Sequence, residues 1–309
     1  MSGSSRRYLF LSGCKRSATE YTNHLFDGHP QLKNIFREFY GFELAGASPN
    51  PIDTLIDWFG TAPVLEVYEN VRARELLPTY AESNILPGLW EADDRGDETD
   101  EARYFKLPFD VDAFLAAFEA RRGSVSDFKT LLHHWLDALD CVSPWSTMPD
   151  DARWLLKCAD FGRTLRAAAA IDLIDHAIFN VRHPIGIVNS IKRLRQSERH
   201  RDFHVFELLA ICSSLESVPT IINDLGSRVT LVRYEDLIEN PNETMKIMCD
   251  RLNVDWHDTV TRPSLAGVPW STNTSFAAKG EQRSTVLTPV EVEMIQQHTA
   301  GYCAAFDYQ

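Results

Sequence analysis

Four short, mostly apolar runs, at residues 8–11, 154–156, 177–181 and 229–232, punctuate the chain, and each is followed by a stretch carrying helical signals. A run without polar alternation suits a strand buried on both faces, and such strands belong to parallel sheets covered by helices. Parallel neighbours cannot be joined by a hairpin, so the intervening segments serve as helical crossovers. The chain therefore reads as α/β: a single domain over residues 1–309, three-layered, with a central parallel sheet flanked by helices. The predicted helices cover residues 18–27, stopped by Gly28-His29-Pro30, then 128–139, 161–174, a segment opening at Pro184, 203–215 and 241–252. In the second of these Phe128, Leu131, Leu132, Trp135, Leu136 and Leu139 form one apolar stripe. Adjacent His133 and His134 point to different faces of that helix and are read as core and surface residues, not metal ligands. A last helix opens with Thr288 as N-cap and Pro289 at its first position.

Composition narrows the function classes. Lys plus Arg number 31 against 44 Asp plus Glu, a formal charge of −13, which argues against a general nucleic-acid coat or a polybasic membrane binder while leaving room for a local anion site. Six cysteines without a C-x-x-C pair indicate neither a disulfide framework nor a zinc knuckle. The first apolar run is too short for a signal peptide or a membrane span, so a cytoplasmic protein is expected, with no nucleic-acid or membrane partner. Residues 91–101 hold seven acids beside Arg95 and read as a solvated loop.

Two segments carry chemistry. The first, Leu11-Ser12-Gly13-Cys14-Lys15-Arg16-Ser17-Ala18-Thr19, lies between a predicted strand and a helix. It offers a glycine turn, free backbone N–H groups, two cations and two hydroxyls, which together make an anion cradle; without a ligand it is only a basic helix start. It lacks the second Gly and the following Lys of a Walker A loop. The second is Asn180-Val181-Arg182-His183-Pro184, ending a strand, with Ser190 eight residues past Arg182. A ligand touching both Arg182 and Ser190 lies across the start of a helix, and a phosphate monoester meets that demand. The plainer reading is a surface Arg and a helix-facing Ser.

Together these segments resemble the sulfotransferases that use 3′-phosphoadenosine 5′-phosphosulfate. Arg16-Ser17-Ala18-Thr19-Glu20 is similar to that family's 5′-phosphosulfate loop, and Arg182 with Ser190 to its 3′-phosphate pair. His29-Pro30, Trp154-Leu155-Leu156-Lys157, Tyr234-Glu235-Asp236-Leu237 before Asn240-Pro241, Asn273-Thr274-Ser275-Phe276 and Asp307-Tyr308 follow the family's landmarks in order. Residues 41–122 fall outside the resemblance and are read as an insertion that builds the acceptor pocket. In the family's loop Ala18 stands where Gly is usual and Glu20 where a second Thr is usual. A methyl at Ala18 leaves a phosphate room only if its φ stays negative. Glu20 is expected to point away from the ligand or to pair with Lys15 or Arg16.

The resemblance implies a P-loop-NTPase-like fold and metal-independent transfer of a sulfuryl group from 3′-phosphoadenosine 5′-phosphosulfate to a hydroxyl or amine of a small-molecule acceptor, leaving adenosine 3′,5′-bisphosphate. It implies donor contacts from Gly13, Cys14, Lys15, Arg16, Ser17, Ala18 and Thr19, with Arg182 and Ser190 on the 3′-phosphate and Tyr234 by the adenine. Lys279 and Arg283 lie where the family's late loop adds cations. Arg16 and Lys157 are the candidate catalytic cations. The family's His two residues past the strand Lys is Ala159 here, so the base implied by its other branch is Glu38, eight residues beyond Pro30, with Glu43 and His29 as substitutes. Beside Phe36, Phe39 and Tyr40 its carboxylate would be desolvated towards a working pKa; the plainer reading pairs it with Arg37 or solvent. The five cations between Lys192 and Arg201 read as a solvated helix face. A P-loop-type small-molecule kinase and a nucleotide-binding module without transferase activity remain alternatives, and a homodimer is left open.

Overall fold

The computed structural model describes residues 6–34, 113, 116–117, 119–120, 128–142, 145–198, 203–265, 268–269 and 285–308. Five parallel strands form the central sheet: β1 (Tyr8–Gly13), β2 (Leu32–Asn34), β3 (Arg153–Cys158), β4 (Ile174–Val181) and β5 (Val229–Arg233), in the order β2-β3-β1-β4-β5. All six residues of β1 are buried, as its unbroken apolar run requires. The helices are α1 (Thr19–Leu25), α2 (Phe128–Leu139), α3 (Arg163–Ala170), α4 (Pro184–Glu198), α5 (Val205–Leu225), α6 (Tyr234–Glu239), α7 (Pro241–Leu252), α8 (Pro289–His298) and α9 (Ala300–Ala305). A small antiparallel pair, β6 (Ser264–Leu265) and β7 (Val268–Pro269), stands apart from the sheet.

Side-chain alternation splits the core between the two faces. Phe10, Leu156, Phe179 and Val181 join Leu132, Leu136, Leu165, Ile187 and Leu215 on one face. Leu9, Leu11, Leu155 and Ile178 meet Leu25, Phe26, Met245, Met248 and Leu252 on the other. The alternation puts Lys157 and Asn180 on this second face, where α1 covers the carboxyl ends of the strands. The chain crosses from β3 on one side of β1 to β4 on the other, so the carboxyl ends beside β1 form a topological switch point, where open α/β sheets place their ligands.

Several expected elements change their limits for visible reasons. The helix read over 161–174 is confined to Arg163–Ala170, because Phe161, Gly162 and Asp172 take left-handed backbone at φ 61°, 85° and 54° and stop it at both ends. That releases Ile174 to start β4 three residues before the apolar run, through exposed Asp175. Conversely α5 runs ten residues beyond 215, straight through Pro219, because Val218, Ile221, Ile222 and Leu225 bury its second half. Packing outweighs the helix bond that Pro219 cannot donate. By length and composition residues 205–228 could also cross a membrane, yet here the buried stripe of α5 joins the core. Strand β2 was not expected; two of its three residues are polar, with Lys33 held by Asp140 at 2.9 Å and Asn34 donating to the Asn23 carbonyl at 2.7 Å.

The start of α8 matches the expectation at Thr288 and Pro289 and adds a capping box with Glu291. The same carboxylate receives Lys192 on both oxygens at 2.8 Å, joining α8 to α4, so Lys192 is a buried partner and not part of a solvated face. Partial burial would raise the Glu291 carboxyl, but the hydrogen bonds from Lys192 and Thr288 overcome it and lower its pKa. A carboxyl lowered on folding stabilises the fold above its unfolded pKa and loses that contribution as the pH falls through its folded value. Glu291→Gln should therefore cost about 1–2 kcal/mol at pH 7 in denaturant unfolding, with the gap to the parent closing as the pH is lowered below about 4.

Candidate functional site

The loop between β1 and α1 is built on the end of β4. Cys14 N–H donates to the Asn180 carbonyl at 3.0 Å, and the Ser17 hydroxyl reaches the same carbonyl at 2.9 Å and the Cys14 carbonyl at 2.5 Å. The Asn180 amide in turn donates to Thr22 Oγ1 at 2.8 Å and to the Ser17 carbonyl at 3.4 Å. The glycine at 13 is a packing requirement. A Cβ there would stand 2.6 Å from the Asn180 carbonyl, 2.8 Å from Ser17 Oγ and 2.9 Å from Thr19 Oγ1.

Beyond Gly13 the backbone turns through Arg16 at φ 65° and Ala18 at φ 71°, both left-handed. The negative φ that would leave a phosphate room at Ala18 is not adopted: α1 begins directly after it, with this residue in the conformation that glycine adopts freely. Its methyl group is a source of local strain, of the order of 1 kcal/mol or more. Cys14 is buried beneath the loop, its thiol 3.5 Å from the Tyr302 hydroxyl on α9, and burial pushes that thiol up to about 12. The Tyr302 hydroxyl donates to the Arg182 carbonyl at 3.1 Å and accepts from the Arg182 N–H at 3.3 Å, so its single proton is committed and the thiol is the donor to it. Tyr302 thus fastens the loop and the end of β4 to one buried phenol.

Above this base the expected donor residues meet. Arg16 Nε donates to Ser190 Oγ at 2.9 Å, and Arg182 Nη1 donates to the Arg16 carbonyl at 2.9 Å. The Arg182 guanidinium lies over the Tyr234 ring, its carbon 3.9 Å from the centroid. Gly186, in the first turn of α4, leaves room for this fold-back; a Cβ there would be 2.9 Å from Arg182 Nε. Burial lowers the pKa of Arg182, against Tyr234 and Glu235, which act to raise it. Glu235 also accepts from the His183 N–H at 3.2 Å and from the Tyr308 hydroxyl at 3.0 Å, tying the turn before α4 to the last residues described.

Lys15, Arg16, Ala18, Thr19, Glu20, Arg182, Ser190 and Tyr234 line one cleft of about 720 Å³. The sequence-predicted residues Gly13, Cys14 and Ser17 form its floor from beneath; the Ser17 hydroxyl is spent on loop carbonyls. The cleft continues between α3, α4 and α5 past Phe161, Leu194, Phe203 and Ile211, with Asp160 and Glu207 on its wall. Burial holds the Asp160 carboxyl above its ordinary range despite hydrogen bonds from Thr164 at 2.9 and 2.6 Å. None of this wall was expected from sequence, because its residues lie on helices and the turns before them, with no motif. Glu38, Glu43, Lys279, Arg283 and the segment 273–276 lie outside the described residues, as does most of the 41–122 insertion. His29 is settled: its Nε2 faces the Asp255 carbonyl at 2.9 Å and its Nδ1 accepts from Gln31 N–H at 3.2 Å, so both nitrogens are structural.

Lys157 is 1% exposed, and its ammonium is ion-paired with Glu20, whose side chain is 44% exposed at the cleft. The partner is thus neither Lys15 nor Arg16, because the register that sets Lys157 beside Leu11 brings β3 under the first turn of α1. The second Glu20 oxygen receives His24 Nε2 at 3.2 Å, and His24 Nδ1 faces the Ser264 carbonyl at 2.8 Å. Burial would raise the Glu20 carboxyl, but Lys157 and His24 together overcome it and hold it down at about 2.

Two substitutions in the loop should act in opposite directions. Gly13→Ala should lose at least about 2 kcal/mol in denaturant unfolding, since each clashing oxygen is part of the buried frame. Ala18→Gly should gain about 1 kcal/mol by relieving the left-handed alanine, net of the added freedom of the unfolded chain.

No family model and no curated protein matches the sequence. Solved structures do: the chain is similar to the sulfotransferase domain from the Synechococcus PCC 7002 olefin synthase, with 16% identity and a TM-score of 0.50 over 99% of this chain and 97% of that one. It is likewise similar to the sulfotransferase domain from the curacin biosynthetic pathway, with 14% identity and a TM-score of 0.55 over 98% of each chain. The architecture built on this parallel sheet is therefore the sulfotransferase fold.

Proposed function

We propose that the chain is a sulfotransferase that takes 3′-phosphoadenosine 5′-phosphosulfate as donor and a hydroxyl or amine of a small molecule as acceptor. The observation that carries this reading is the convergence of Arg16, Arg182, Ser190 and Tyr234 on one cleft at the carboxyl ends of β1 and β4. Arg182 and Ser190 are assigned to the 3′-phosphate, Tyr234 to the adenine side, and the backbone and cations of residues 13–19 to the 5′-phosphosulfate. The assignment suits a half-buried guanidinium that is in no ion pair among the described residues, which a phosphate dianion would complete.

In the transfer, a bond forms between the acceptor oxygen or nitrogen and sulfur while the bond from sulfur to the bridging 5′-phosphate oxygen breaks. The acceptor proton passes to a base, and the bisphosphate leaves. Charge spreads over equatorial oxygens in such loose displacements, so catalysis rests on position and on fixed cations. Arg16 is the cation we assign to that charge; Lys157, the other candidate, is buried and paired with Glu20. Glu38 is the proposed base.

The reading is tested by calorimetry with adenosine 3′,5′-bisphosphate. The parent should bind it, and Arg182→Ala should weaken it by roughly 2–4 kcal/mol for a lost charge-assisted contact. Unchanged affinity in that variant removes the assignment. ATP with magnesium raising the melting temperature where the bisphosphate does not would favour a kinase instead.

A further inference from the structure

The cleft is charged unequally on the two sides of its loop. On the β4 side stand Arg16 and Arg182, neither of them in an ion pair among the described residues. On the β3 side Glu20 lines the cleft, its carboxylate paired with Lys157, which lies buried behind it. A cation that already holds its anion offers little to a second one, whereas an uncompensated guanidinium offers its full charge. A ligand with a strongly charged end and a weakly charged end is therefore oriented by the site itself, the strongly charged end towards β4.

We propose that Glu20 is a specificity-determining residue, which fits the β3 end of the cleft to a terminal group carrying one negative charge and rejects one carrying two. The inference rests on the nucleotide reading above and names what that reading leaves open, the feature that separates a sulfuryl donor from a phosphoryl donor. The two groups are close in size and tetrahedral shape. They differ in charge: a terminal sulfuryl carries a single negative charge near neutral pH, while a terminal phosphoryl carries close to two above its second pKa of about 6. A lone lysine at this place would favour the more highly charged group. Glu20 cancels that advantage and repels the extra charge. Its oxygens are held on two sides, by Lys157 and by His24, so it cannot swing clear without stranding a buried ammonium.

Three nucleotides that differ only at the 5′ end make the test: adenosine 3′,5′-bisphosphate, the 3′-phosphate 5′-phosphosulfate, and the 3′-phosphate 5′-diphosphate, titrated calorimetrically at pH 8. The parent should bind the phosphosulfate about 10-fold more tightly than the diphosphate. Glu20→Gln should bring that ratio to about 1 or reverse it, with bisphosphate affinity kept within about 3-fold, which also reports an intact cleft. Lys157→Met, of matched length and without a charge, should move the ratio the other way, to about 100-fold, because Glu20 then acts unopposed. This second variant keeps the test decisive if Gln at position 20 leaves Lys157 too poorly compensated to fold. Bisphosphate binding without discrimination in the parent, or a ratio unmoved in both variants, overturns the inference alone. Failure of the parent to bind any of the three overturns the nucleotide reading and this inference with it.

Discussion

The geometry of the site depends on one residue whose side chain and backbone both face the loop. Asn180, at the end of β4, accepts from Cys14 and Ser17 through its carbonyl and donates to Ser17 and Thr22 through its amide. A buried amide with this many partners fixes its neighbours to within a few tenths of an ångström, because every bond lost in a dry site is costly. The close approach it enforces is what excludes any side chain at position 13. It also sets the spacing between the loop and Arg182, two residues farther along the same strand. The cleft is thus a consequence of how tightly β1 and β4 are stitched at their carboxyl ends.

The strands were legible from their runs of apolar residues, and β1, β3 and β5 lie where those runs predict; the expected burial on both faces holds for β1 but not for the edge strand β5, where Leu231 is exposed. Strand β2 escaped because Lys33 and Asn34 are held by tertiary contacts that no local pattern reveals. Helix lengths failed where distant packing or left-handed residues decided the ends, as at Pro219 and Phe161. In the site, Arg16 was legible from the loop after β1, Arg182 and Ser190 from their spacing, and Tyr234 only from the family resemblance. The partner of Glu20 was not: Lys157 lies 137 residues away, and only the β1–β3 register joins them. Tyr302 was equally hidden, since nothing in Ala300–Ala305 marks one tyrosine as the anchor of a loop near the other terminus.

A line of polar contacts runs from the Ser264 carbonyl through His24 and Glu20 to Lys157, crossing from the small β6–β7 pair to the third strand of the sheet. Lys157 and His24 are almost fully buried, and groups of this kind are seldom held for stability alone, since an apolar replacement of similar shape often does as well. What such a line contributes is position. It gives the β3 end of the cleft a fixed arrangement of charge, as the Arg16–Ser190 and Arg182–Tyr234 contacts do at the β4 end.

The bond between Cys14 and Tyr302 joins residues 288 positions apart, and the loop, β4 and α9 all meet at that phenol. Contacts of such separation form late, because the entropy of closing a long chain is lost before they can repay it. During synthesis the strand and turn at residues 8–19 emerge well before their anchor, Tyr302, which lies 288 positions after Cys14. A nascent chain therefore carries the loop without the fastening that shapes it. The loop takes its shape at one moment, when α9 docks, and not gradually as the domain grows.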